Sequence, residues 1–359
     1  MTAAARATLR VLRSGSVPDD DLQLLTVGAK TLTDLTRASL AKLGLGESPK
    51  PLFLSGEWGT GKTHSLRLIR SLAIDRGFAT METIVNARTC PPNYPQRIFP
   101  VMARSITHQK DFGIRSVVRS LVADDERAAL ALTKVGEGPQ KEIWQAASTL
   151  RDLWQRGETA LFGTSSAWRI LLGNDIANSM TGHNRTKAMH RLHWMTSFLR
   201  SLGAGGTVLL FDELETIEQL WNRRSRASAY EVLGRLLAAP GTWCVFGITQ
   251  RFQRVVNEDA RSDMFTHAFS AGKHFLSPWR NGEPELVAPP AIGNEEARAL
   301  ARIVEDLYRN AYPDTASCTD DCQSAVANWS LNAARNPRRL VRSIIDTCDR
   351  ARPLVVNTP

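Results

Sequence analysis

No run of apolar residues in this chain approaches the ~18 that a membrane-spanning helix requires. The sequence therefore excludes an integral helical membrane protein, and no membrane partner is expected. The stretch from Met1 to Val11 lacks the apolar core of a signal peptide. Cysteine is scarce, with five in 359 residues. That excludes a disulfide scaffold, and the odd number leaves at least one thiol unpaired. A reducing, cytoplasmic setting is expected. Cys318 and Cys322 are separated by three residues and invite a zinc reading. No His or second close Cys pair completes a set of four ligands, and Cys348 is far downstream, so buried thiols are expected instead. Internal repeats and long low-complexity tracts are also lacking.

Acidic residues are outnumbered by basic ones, 36 against 45, for a net charge of +9. Such an excess permits a polyanionic partner such as DNA without demonstrating one, because basic faces are often merely solvated. Hydrophobic residues make up 43% and charged residues 23%. These values suit a folded chain with a sizeable core and exclude global disorder. The length suggests two units or one enlarged one.

Apolar runs bounded by glycine or proline mark buried strands at 52–55, 78–86, 207–211 and 243–248, with Lys273–Leu276 as a fifth candidate. Helical spacing covers 22–44, 63–74, 97–106, 140–156, 166–176 and 187–202. After Pro289-Pro290 only helices follow. Asn294 is placed to cap one, with Glu295 and Glu296 in its first turn. Its apolar side is Leu300, Ile303, Val304 and Leu307. Asn336-Pro337 opens another helix, with Leu340, Val341, Ile344 and Ile345 on its buried side. Strands alternating with helices, then a helical tail, predict an α/β parallel-sheet domain plus a small α domain. The expected boundaries are an N-terminal helical segment at 1–48, a core at 49–290 with a helical insertion at about 110–200, and a C-terminal helical lid at 291–359.

The strongest signal is Gly56-Glu57-Trp58-Gly59-Thr60-Gly61-Lys62-Thr63, a full G-x-x-x-x-G-K-[ST] phosphate loop between a strand and a helix. Phosphates need close backbone N–H groups, glycines let the chain curl, and the helix start adds its positive end. Lys62 is expected on the β- and γ-phosphates and Thr63 on Mg²⁺. His64 follows directly. Trp58 is expected to pack on the outside of the loop, with contact to nucleotide or a neighbouring subunit as the alternative.

The strand Thr207-Val208-Leu209-Leu210-Phe211 ends in Asp212-Glu213, a Walker B pattern. Asp212 is expected in the Mg²⁺ shell and Glu213 as the residue that orients or deprotonates attacking water. Glu215 is a nearby acid, read as a helix-start residue. No Asn-Lys-x-Asp motif occurs, so ATP is preferred to GTP. The strand end Gly247-Ile248-Thr249-Gln250 offers Thr249 as a γ-phosphate sensor, with Gln250 second. Arg338, beside Asn336-Pro337, is the candidate sensor on the lid. Arg335, Arg338, Arg339 and Arg342 share a helical face, so a solvated or DNA-facing stripe is the alternative. Arg254 and Arg261 are candidates for a trans arginine finger. Arg223, Arg224 and Arg226 read as a solvated basic cluster.

These elements in this order resemble the AAA+ branch of P-loop ATPases, near the origin-recognition type. A more specific resemblance is to bacterial BREX phage-defence ATP-binding proteins. It is carried by Leu12-Arg13-Ser14-Gly15-Ser16-Val17-Pro18, Gly56 to His64, Phe211-Asp212-Glu213-Leu214-Glu215-Thr216-Ile217 and Arg226-Ala227-Ser228-Ala229-Tyr230. Trp58 and Leu214 depart from the family pattern, where tyrosine and alanine are common. The resemblance implies an ATPase using ATP and Mg²⁺ within a multi-protein antiviral system, with other defence proteins as partners, DNA contact, and a homo-oligomer as one assembly. Hydrolysis would then remodel DNA or a bound protein. The alternatives are a nucleotide-gated scaffold with little turnover and an initiator-like DNA-binding ATPase.

Overall fold

The computed structural model describes residues 2–18, 21–109, 111–114, 141–158, 161, 164–178, 181–262, 265, 270–331 and 336–352. In chain order the elements are α1 (Thr2–Arg13), α2 (Lys30–Gly44), β1 (Leu52–Ser55), α3 (Lys62–Ile74), β2 (Ala79–Ile84), α4 (Pro95–Ser105), β3 (Thr107–His108), β4 (Asp111–Phe112), α5 (Lys141–Gln155), α6 (Ser166–Leu171), α7 (Gly182–Ser201) and β5 (Thr207–Asp212). A 3-10 turn at Leu214–Gln219 follows. Then come α8 (Arg223–Leu237), β6 (Thr242–Ile248), α9 (Gln250–Arg261), α10 (Gly272–Arg280), β7 (Glu285–Val287), α11 (Asn294–Ala311), α12 (Thr319–Ser330) and α13 (Pro337–Ala351). None of the described helices is long and apolar enough to cross a membrane.

The chain divides into two compact units. The larger comprises Leu35–Ser55 and Arg70–Val287, the smaller Met1–Asp34, Gly56–Ile69 and Ala288–Pro359.

The larger unit is built on a seven-stranded sheet in the order β4-β3-β2-β5-β6-β1-β7. The strands β2, β5, β6, β1 and β7 pair in parallel, and β3 and β4 add an antiparallel hairpin at one edge. All of β5 and β6 is buried, as a parallel sheet covered on both faces requires. That is why these strands stand out in the sequence as continuous apolar runs. Phe246 is the centre of an aromatic cluster. Its ring lies 5.2 Å from Phe53 on β1, 5.3 Å from Phe211 on β5 and 5.5 Å from Phe275 on α10.

That last contact corrects one expectation: Lys273–Leu276 is not a strand but the first half of α10. A short Lys-His-Phe-Leu run fits either period. The helix is decided by a distant cap, because the Glu231 carboxylate on α8 accepts the N–H groups of Ala271 and Gly272, both at 2.9 Å. An acid at that end complements the helix dipole. Gly234 permits the approach, since a methyl there would collide with the Ala271 carbonyl.

The region expected as a helical insertion contains α5, α6 and α7, with residues 115–140 lying outside the described residues. Arg191 on α7 is buried and donates to the Asp175 carboxylate from both terminal guanidinium nitrogens, at 2.7 and 2.8 Å.

In the smaller unit α1 packs on α11 and α13, and α12 packs on those same two helices. The core includes Leu9, Leu300, Val304, Tyr308, Leu340, Ile344 and Ile345. The spacing of α11 and α13 thus predicted their buried faces, with Ile303 and Val341 only half-buried. The cap of α11 lies one residue earlier than expected, at Gly293, whose N–H bonds the Glu296 carboxylate at 3.0 Å. The helix expected over 22–44 starts only at Lys30, because Gly28 adopts φ +66° and breaks the spiral.

Candidate functional site

Within the smaller unit the phosphate loop runs from Gly56 into the first turn of α3. Gly59 and Gly61 have φ of +80° and +104°, a left-handed region that side chains rarely adopt. The curl is held internally. The Glu57 carbonyl accepts from the Thr60 N–H at 3.3 Å and the Thr60 hydroxyl at 2.8 Å. Lys62 is buried, and its ammonium donates to the carbonyls of Gly56 at 2.7 Å and Glu57 at 3.2 Å. The same ammonium lies 5.6 Å from the centre of the Trp58 ring, which is 63% exposed. Trp58 therefore sits on the outside of the loop, as expected, with one face offered to a cation. The geometry suits a triphosphate: glycines where the backbone must come close, a buried cation, and a helix start.

His64 is mostly buried, and burial drives its pKa down to about 4. Thr26 Oγ1 lies 2.8 Å from its Nε2. That hydroxyl already donates to the Leu22 carbonyl at 2.7 Å, so the imidazole Nε2–H is the donor. His64 thus ties the start of α3 to the turn after α1 as a neutral ring.

Asn336 is a residue that sequence reasoning assigned only to capping. It does cap α13, accepting the Arg338 N–H at 2.9 Å. Its side-chain amide also lies against Gly59, where a methyl group would overlap it. Nothing local in the sequence marks this approach between Gly59 and the start of α13. Arg338 is exposed at the head of α13. Arg342 donates to the Ser14 carbonyl at 2.9 Å, and a side chain at Gly15, whose φ is +76°, would strike Arg342 and Arg338. Ser14 and Gly15 of the first resemblance motif therefore lie against the arginine stripe of α13. Arg335 lies outside the described residues.

Within the larger unit, β1, β6 and β5 are parallel neighbours, with Ser55 opposite Ile248 and Phe211 opposite Phe246. Ser55, Thr249 and Asp212 thus finish three adjacent strands at one edge of the sheet. Adjacent strands are ~4.8 Å apart, and the carboxyl ends of parallel strands are where open α/β sheets bind ligands. Asp212 is buried, and its carboxylate accepts the Glu213 N–H at 3.0 Å. Glu213 has φ +57° and ψ +37° without a side-chain cap bond. A left-handed glutamate is strained by ~1–2 kcal/mol, and such strain gathers at functional sites. Thr249 is buried and caps α9, accepting the Phe252 N–H at 3.3 Å. Gln250 is exposed at the head of that helix, and Arg254 and Arg261 are exposed along it. Near this edge Glu218, which Arg251 bonds at 2.9 Å, has its pKa raised by burial.

Arg226 does not belong to a solvated cluster. Its guanidinium makes two 2.9 Å bonds to the buried Asp259 on α9, which also accepts the Tyr230 hydroxyl at 2.8 Å. Arg223 and Arg224 are exposed. The Arg226-to-Tyr230 motif is a clamp between α8 and α9, the helix that Thr249 begins.

Cys318, Cys322 and Cys348, expected as buried thiols, are buried and come together as a trio whose sulfurs all lie within 4.8 Å of one another. No curated protein gives a significant match to this sequence. A family model described as "BREX system ATP-binding protein BrxC/D" does match, over residues 2–141 and 178–353. That span covers nearly the whole chain and every candidate site residue, and the chain belongs to that family of ATP-binding phage-defence proteins.

Proposed function

We propose that this chain is a Mg²⁺-dependent ATPase of the AAA+ type whose turnover moves a helical lid and remodels DNA or a partner protein in the defence complex. Family membership supplies ATP binding and the defence setting. One observation carries the rest. The strand that leads into the phosphate loop, the strand ending at Thr249 and the strand ending at Asp212-Glu213 are consecutive parallel neighbours.

In this reading Lys62 and the backbone of the glycine loop hold the β- and γ-phosphates. Thr63 and Asp212 would hold Mg²⁺. The buried Asp212 carboxylate, already fixed by an N–H, suits a hard cation that prefers oxygen ligands. When bound, Mg²⁺ neutralises charge developing on the phosphates. Glu213 takes a proton from the attacking water or orients it, and its left-handed backbone turns it out of the strand's alternation. Thr249 reports the γ-phosphate to α9 through the cap it forms. Arg338 does so on α13, whose capping Asn336 lies against the loop at Gly59. Residues 142–177, between the two matched spans, hold α6 and most of α5. They are the natural place for contacts peculiar to this chain's partners.

The test is phosphate release with and without duplex DNA, on the wild type and Glu213→Gln. We expect turnover in the wild type. The variant should bind ATP yet hydrolyse it at least ~100-fold more slowly, the usual contribution of a general base. Normal turnover in the variant would remove Glu213 from the chemistry. ATP binding with no wild-type turnover under either condition would favour the gated scaffold.

A further inference from the structure

Independently of the nucleotide site, the helices of the smaller unit bring together donors that neither ATP binding nor the lid reading uses. Cys318 is the N-cap of α12 and Cys322 lies in that helix's first turn, so the two fall on one face. Cys348 comes from the last turns of α13. The sulfur separations are 3.3 Å for Cys318–Cys348, 3.8 Å for Cys318–Cys322 and 4.0 Å for Cys322–Cys348. All three thiols are buried. A fourth donor approaches from α11. The Glu305 carboxylate, 4% exposed, lies 3.9 Å from the Cys318 sulfur and accepts the Thr319 hydroxyl at 2.9 Å.

We propose that Cys318, Cys322, Cys348 and Glu305 form a structural zinc site that joins α11, α12 and α13. A tetrahedral zinc with bonds of ~2.3 Å to sulfur sets its sulfurs ~3.8 Å apart, and with ~2.1 Å to oxygen sets oxygen and sulfur ~3.6 Å apart. The sulfur spacings scatter about the first value, so the three thiolates take the metal with shifts of a few tenths of an ångström, whereas Glu305, 3.9 Å from Cys318 but outside the group of donors that all lie within 4.8 Å of one another, completes the set by a larger side-chain movement. Three thiolates with one carboxylate make a closed set of four ligands, each of a donor type that zinc binds. The chemistry also accounts for Glu305, a buried carboxylate beside an apolar core, since buried charge calls for a pairing partner. The Thr319 hydroxyl then orients the ligating carboxylate from outside the metal's own shell. On binding, each thiol gives its proton to solvent as its thiolate joins the metal, and nothing is oxidised or reduced. The consequence is mechanical: the site fixes α13, whose head carries Asn336 and Arg338, to the two helices beneath it.

The experiment uses the full chain, purified under reducing conditions without chelator from zinc-supplemented growth. Metal analysis should give about one zinc per chain, as a single four-ligand site requires. Exchange into cobalt(II) should produce the absorption of thiolate-to-cobalt charge transfer. Neither measurement needs a variant that folds. Cys348→Ser should lose zinc at least ~10-fold, whereas Cys90→Ala, outside the cluster, should keep it. Glu305→Gln should weaken zinc by ~10-fold or more, in the range set by changes around a metal site. Unchanged affinity in that variant would overturn Glu305 as a ligand. A chain free of zinc that shows no cobalt charge-transfer band would overturn the site. So would mass-spectrometric detection of a disulfide within the trio under the same conditions.

Discussion

Asp259 gives the sharpest stability prediction. Its carboxylate is 7% exposed and accepts three bonds, two from Arg226 and one from Tyr230. Asp259→Asn keeps the shape but removes the charge and turns one acceptor into an amide donor. Whichever oxygen it replaces, that donor faces a guanidinium N–H of Arg226, which can only donate. Breaking a buried pair on one side costs ~3–5 kcal/mol. The Arg226 side chain is 17% exposed and water partly rescues it, so the low end, about 3 kcal/mol, applies. For a unit of this size each kcal/mol moves Tm by ~2–4 °C, so the variant should melt about 6–12 °C lower. Thermal and urea unfolding of the wild type, Asp259→Asn, Arg226→Met and the double variant would measure this. The double variant should be little worse than Asp259→Asn alone, with a coupling of ~2 kcal/mol or more. A Tm within about 1 °C of wild type, or strictly additive losses, would refute the clamp.

Two further predictions concern the phosphate loop. Gly59→Ala forces a side chain into a left-handed backbone and against Asn336, so it should cost ~1–2 kcal/mol of stability and weaken ATP binding; wild-type values by calorimetry would contradict the close approach. His64 titrates near its ordinary value of about 6.5 in the unfolded chain and at about 4 when folded. Above pH ~7 the ring is neutral in both states. Between pH 6.5 and 4 the unfolded chain takes up the proton first, so stability should fall as pH falls, by at most about 3 kcal/mol. His64→Gln should flatten that part of the stability profile, and an unchanged profile would show that the burial of His64 is not its source.

Of the four parallel strands that were legible, β1, β5 and β6 are apolar runs closed by glycine or a polar end, whereas β2 interleaves Thr80, Glu82 and Thr83 with its apolar residues. The phosphate loop was legible because its function demands glycines and a lysine at fixed spacing. The faces of α11 and α13 followed from period alone. What escaped the sequence was pairing at a distance. Residues 273–276 could not be told from a strand, since the cap from Glu231 arrives from another helix. Arg226 looked solvated because Asp259 is remote in the chain. Cys348 looked irrelevant to Cys318 and Cys322 because only the packing of α12 on α13 unites them. Asn336 announced its capping role through the following proline, while its approach to Gly59 left no local mark. The left-handed backbone at Glu213 was equally silent, since nothing in Phe211-Asp212-Glu213-Leu214 signals it.

The central claim is that the glycine loop and the acidic strand end serve one metal-bound triphosphate. Calorimetric ATP binding, with and without Mg²⁺, tests it on the wild type, Lys62→Ala and Asp212→Asn. Lys62→Ala should lose ATP under both conditions, whereas Asp212→Asn should keep the metal-free affinity and lose the gain that Mg²⁺ confers. Wild-type binding by Lys62→Ala, or an undiminished Mg²⁺ effect in Asp212→Asn, would contradict the account.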